Sequence, residues 1–228
     1  MPTASESPGA SSQMHGSTAD LAGLIQDLSA QAFHRVVGAV WTDGRLSSAT
    51  LPAVPLLVGA LQAPEPLKVA RAALLLGVLA ETSAEKQEVR EALRRAIPSA
   101  LAAARRCVHS PPARLSLVFL LAHFPEDREQ VLGGVDPGWF GPEDFSRLER
   151  CLRSPDFADP GLVDIICRGW PSPAFWKVTE EEAATDRRWR RTLDLSTEQV
   201  ATYWREETVA LLALLGAQAE FAIEEGRP

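Results

Sequence analysis

Beyond residue 17, apolar positions recur at helical spacing, and almost nowhere do they alternate with polar ones in the period of two that marks a half-buried strand. Leu21, Leu24, Ile25, Leu28 and Ala32 share one helical face. They predict a first helix that opens at Ser17-Thr18-Ala19-Asp20 and runs to Val40. Trp41-Thr42-Asp43-Gly44-Arg45 reads as a loop. Thr50 reads as the cap of a second helix over 51–61, Ala63-Pro64-Glu65-Pro66 as a break, and 67–79 as a third helix. Thr82-Ser83-Ala84-Glu85 has the form of a capping box and predicts a charged helix from 85 into 95, continuing past Pro98 to Cys107. Ser110-Pro111-Pro112 opens a further helix up to Phe124, and shorter helices are expected at 126–132, 142–152 and 160–167. Ser196-Thr197-Glu198-Gln199 is a second capping box, for a last helix that reaches Glu225 and is ended by Gly226 and Pro228. The fold class is all-α.

Part of this pattern repeats. Leu51-Pro52 and Ile97-Pro98 lie 46 positions apart. At the same offset, without gaps, Leu61 meets Cys107, Pro66 meets Pro112, Lys68 meets Arg114, and Leu74-Leu75 meet Leu120-Leu121. Each unit is an apolar helix, a proline-containing turn, a basic residue two places on, and a very apolar helix. Phe145, Leu148, Cys151 and Leu152, with Ser154-Pro155 and then Leu162-Val163-Asp164-Ile165-Ile166, read as a decayed third copy. A helix pair repeated at this length is the signature of an α-solenoid, in which each unit buries its apolar face only against its neighbours.

LPAVPLLVGALQAPEPLKVARAALLLGVLAE and IPSALAAARRCVHSPPARLSLVFLLAHFPED resemble HEAT repeats, of the armadillo type of α-helical repeat. Pro52-Ala53-Val54-Pro55-Leu56-Leu57 is similar to the first helix of HEAT-like proteins of high-GC bacteria. The resemblance covers residues 47–135 and extends faintly over 136–170; residues 171–228 do not share it. It implies a short HEAT-like α-solenoid and a role in protein–protein interaction through the ridge or concave face.

The domain reading follows. Residues 1–17, rich in Ser, Ala, Pro and Gly, are expected to be a disordered arm without the basic and apolar regions of a secretory signal. Residues 18–170 form the HEAT-like domain, and 171–228 an acidic, Trp-rich helical cap. The apolar run 72–79 is too short to span a bilayer, so a cytoplasmic protein with no membrane partner is expected.

Charge adds a direction. Residues 51–135 carry 10 Lys/Arg against 8 Asp/Glu, whereas 136–228 carry 11 against 18. The net charge of −7 disfavours a nucleic-acid surface, and the acidic C-terminal part suits a basic protein partner. Cys107, Cys151 and Cys167 have neither disulfide-framework nor zinc spacing and read as buried free thiols. Neither a nucleophile elbow nor a phosphate loop nor a metalloprotease motif is present, and no cofactor or metal is expected. His123, at a helix end, reads as a packed histidine, and Glu180-Glu181-Glu182 as a solvated helix start. Arg187, Arg188, Arg190 and Arg191 around Trp189 could form a phosphate patch, but their pairing with nearby glutamates fits an acidic chain better.

Four of the six tryptophans fall between 170 and 204. Rings and arginines in one stretch are what interface hot spots use, and also what seals the end of a solenoid. Trp176, Trp189, Arg191, Tyr203 and Trp204 are the candidate partner-binding residues. The function expected is a non-enzymatic protein-binding or adaptor protein that neutralises or assists a specific partner, such as a toxin or a biosynthetic enzyme. The alternative is an enzyme or enzyme accessory with a small-molecule pocket between solenoid and cap; nucleic-acid binding ranks third.

Overall fold

A computed structural model describes residues 18–42, 45–83 and 86–153. The arm 1–17, the helices expected at 160–167 and 196–225, and the cap 171–228 lie outside the described residues. Among the described residues there are ten helices: α1 (Thr18–Asp27), α2 (Ala30–Val40), α3 (Thr50–Ala60), α4 (Pro66–Thr82), α5 (Gln87–Arg94), α6 (Ile97–Arg106), α7 (Pro111–Leu121), α8 (Arg128–Gly134), α9 (Pro137–Phe140) and α10 (Pro142–Arg153). A 3-10 turn, Pro125–Asp127, precedes α8.

Several local expectations are corrected. The single helix expected up to Val40 is two helices, because Leu28 adopts the left-handed conformation (φ 42°) and Ser29 caps α2, its Oγ accepting from Ala32 N–H at 3.3 Å. A leucine there costs about 1 kcal/mol of strain. The conformation is held because Leu28 is fully buried and its carbonyl accepts a hydrogen bond from Arg71 Nη1 at 3.2 Å. The expected loop contains a small antiparallel ladder, β1 (Trp41–Thr42) against β2 (Arg45–Leu46), with Trp41 opposite Leu46. Its strands flank Asp43-Gly44, a pair that favours hairpins. Thr50 is the first residue of α3 and not its cap; its hydroxyl donates to Val40 O at 2.6 Å. Thr82 ends α4 instead of opening the next helix, its hydroxyl donating back to Val78 O at 2.9 Å. The charged helix also breaks, at Arg95-Ala96, so that Pro98 sits in the first turn of α6, where its missing N–H costs nothing.

α4 and α7 make the most extensive contact among the described elements. Both are apolar nearly all round, and every residue of α4 from Val69 to Ala80 is buried. They approach so closely that a Cβ on Gly77 would lie 2.5 Å from the Phe119 ring, so only glycine fits there. α3 packs on α4 as α6 packs on α7, and α3 also touches α6. The repeat predicts a shared core of Leu57, Leu61, Val69, Ala72, Leu76 and Leu120, and all six are fully buried. At one end α1 and α2 pack against α3; at the other, α8, α9 and α10 pack against α6 and α7. Gly141 (φ 82°) supplies the left-handed turn between α9 and α10. Leu148, Cys151 and Leu152 of α10 face the core, and Phe145 is partly buried against it.

Candidate functional site

Two features stand apart from plain packing. The first is a furrow between α1 and α3 with a volume of about 580 Å³. Ala22 and Ile25 of α1 form one wall; Leu56, Gly59 and Ala60 of α3 form the other. Ala63 and Pro64 complete the apolar lining, and Gln26, Gln62, Glu65 and Lys68 supply the polar rim. Two cations hold helix ends, Lys68 on this rim and Arg106 outside the lining. Lys68 Nζ donates to Gln26 O at 3.2 Å, in the last turn of α1. Arg106 Nη2 donates to Leu61 O at 2.7 Å, just past the end of α3. Both meet the negative end of a helix dipole and satisfy carbonyls that the helix leaves unpaired. The lining is apolar and small, so the furrow can accept an apolar side-chain row but offers no constellation for covalent chemistry.

The second feature is centred on Arg90 of α5. Its Nη1 donates to Ala80 O at 3.3 Å and its Nη2 to His123 O, so one guanidinium joins the C-terminal ends of α4 and α7. The same group forms a bidentate pair with Glu126, at 2.8 and 2.9 Å, and lies 5.0 Å from the Phe124 ring. One turn along, Arg94 makes a second bidentate pair with Asp127, which raises the Arg94 pKa through hydrogen bonding and charge. With its donors committed within the fold, Arg90 acts as a clamp across the seam.

His123 sits beside it. Nδ1 lies 2.7 Å from Phe119 O, so Nδ1 carries the proton, and the ring meets Phe119 edge-on at 4.7 Å. Burial, aided by the Arg90 charge, lowers its pKa to about 4 despite the opposing carbonyl. Such a group stays neutral at pH 7 and is a weak base, which agrees with its reading as a packed histidine.

Cys107 and Cys151 are buried and outside any disulfide, and burial raises the Cys107 pKa; Cys167 lies outside the described residues. Among the described residues, no group of three or more His, Cys, Asp or Glu is placed to hold a metal ion. No helix among them is long and apolar enough to cross a membrane.

The sequence-predicted site residues, Trp176, Trp189, Arg191, Tyr203 and Trp204, all lie outside the described residues, as do Glu180-Glu181-Glu182 and the neighbouring arginines. The furrow was missed by sequence reasoning, which assigned α3 to the repeat core. No family model, curated protein or solved structure matches the chain.

Proposed function

We propose that the chain is a non-enzymatic protein-binding or adaptor protein built as a short HEAT-like α-solenoid, with partner contacts at Trp176, Trp189, Arg191, Tyr203 and Trp204. The observation that carries this reading is that burial repeats with the sequence. At an offset of 46, Leu57 and Ala103, Leu61 and Cys107, Val69 and Leu115, and Leu75 and Leu121 are buried in pairs. Stacked helix pairs present long continuous faces, which suit protein partners more than small substrates. The matched basic residues also do related work: Lys68 donates to the end of α1, and Arg114 Nη1 to Val108 O at 3.4 Å, beyond the end of α6. The acidic balance of 136–228 favours a basic partner, to be neutralised or assisted in the cytoplasm.

Affinity capture from the native host, quantified by mass spectrometry, tests the proposal when run beside Trp176→Ala, Trp189→Ala, Arg191→Ala and Trp204→Ala. The expected result is one protein enriched by the parent chain. At least one variant should weaken its affinity, measured with purified components, by tenfold or more while stability changes by no more than about 1 kcal/mol. Unchanged affinity in all four variants, or capture of nucleic acid in place of protein, would overturn it.

A further inference from the structure

We infer that the outer stripe of α6, from Arg95 just before the helix to His109 just beyond it, is a docking surface for an acidic segment of a protein partner. It lies apart from the contacts proposed at 176–204 and stands or falls without them.

The exposed positions of this stretch are Arg95, Pro98, Ala102, Arg105, Arg106 and His109. They recur three or four apart, with Arg106 beside Arg105, and so form one stripe along the helix. Ile97, Ala100, Ala103 and Ala104 are buried on the opposite face. Between Glu91 and Glu126 the chain has five arginines and no Asp or Glu. An ordinary solvated surface intersperses both signs, so this run departs from one.

Pairing separates these arginines from their neighbours. Elsewhere in α5 to α10 the fold supplies the carboxylate itself. Arg90 meets Glu126, Arg94 meets Asp127, Arg128 meets Glu129, Arg147 meets Glu143 and Arg153 meets Glu149. Among the described residues, Arg95 and Arg105 have no hydrogen-bond or ion-pair partner. Arg106 reaches Leu61 O through Nη2. The acids that come nearest in the chain or on the adjoining turns are engaged. Glu91, one turn before Arg95, accepts from Gln87 Nε2 at 2.9 Å, and Asp136 accepts from Gly138 N–H at 2.8 Å.

A guanidinium offers a carboxylate two parallel N–H donors, so an unpaired row of them selects carboxylates. Arg95 and Arg105 stand about 15 Å apart at the helical rise. Pro98 and Ala102 lie between them and carry no long side chain, so a chain can pass close to the helix. About five residues of extended backbone cover that span. A protein segment fits the stripe better than a nucleic acid does. The net charge of −7 repels a long polyanion, and the exposed positions include no Phe, Tyr or Trp on which a base would stack.

Fluorescence anisotropy with the full chain tests the assignment. The probe is a labelled peptide of alternating Glu and Ala, long enough to span Arg95 to His109. The parent should bind it at least tenfold more tightly than the counterpart with Gln in place of Glu, and added salt should weaken the binding. The double variant R95A/R105A should lose at least tenfold in affinity with an unchanged denaturation midpoint, because neither side chain holds the fold together. R35A/R45A, which removes exposed arginines on other elements, should bind within twofold of the parent. Equal losses in the two double variants would mean diffuse charge attraction and overturn the assignment. So would full binding by R95A/R105A, or tighter binding of an oligothymidylate of equal charge. Failure of the parent to bind the Glu peptide would also overturn it, as when the acidic part of the chain itself covers the stripe.

Discussion

The seam between α4 and α7 and the face formed by α1 and α3 use the same small-residue grammar with opposite outcomes. In the seam, Gly77 meets the Phe119 ring and the surrounding leucines are fully buried. On the α1–α3 face, Gly59 meets nothing among the described residues, and the helices enclose an open furrow. A glycine in a helix is therefore not self-explanatory. It marks close approach only where the approaching atoms are identified, as they are at Gly77 and are not at Gly59.

The largest expected effect contrasts buried with exposed leucines. Leu75→Ala and Leu121→Ala remove fully buried side chains and should each cost about 2–5 kcal/mol in chemical denaturation. Leu51→Ala and Leu67→Ala, at residues 40 % exposed, should stay within about 0.5 kcal/mol. Similar losses at all four positions would dissolve the distinction between seam and surface.

The end of the seam should also be sensitive to pH. Below about pH 6.5 the unfolded chain protonates His123, whereas the native chain resists until about pH 4. Stability is then full above pH 6.5 and falls as the pH drops through this window, by about 3 kcal/mol at most. His123→Gln should flatten that part of the stability–pH curve; an unchanged slope would show that the imidazole is hydrated in the native state.

A smaller effect sharpens the role of Gly77. Gly77→Ala should cost about 1–3 kcal/mol through overpacking against Phe119. The double variant with Phe119→Leu should cost less than the sum of the two single changes, because relief of the clash couples the sites. Strict additivity would mean that α4 and α7 do not meet at this point.

Much of the fold was legible in the sequence because helix periodicity and the proline breaks act locally. Pro66 and Pro111 do begin helices, and the six core positions named from the 46-residue repeat are buried. The misses share a cause, in that distant groups overrode local signals. Leu28 leaves the helix although nothing nearby in sequence demands it, because burial and Arg71, 43 residues away, hold its carbonyl. Thr82 looked like a cap but is used inside α4. Arg90 falls within what reads only as a charged helix, whereas its partners Ala80, His123 and Glu126 come together only in the folded chain. The furrow was invisible for the same reason, since it consists of residues from two helices whose meeting no local pattern encodes.

The comparison between seam and face is tested most directly by the stability of Gly59→Leu in the full chain. At an uncovered helix position, replacing glycine should stabilise the protein by about 0.5 kcal/mol or more. The account predicts a higher denaturation midpoint than the parent, opposite in sign to the loss at Gly77→Ala; a midpoint lowered as it is for Gly77→Ala would contradict it.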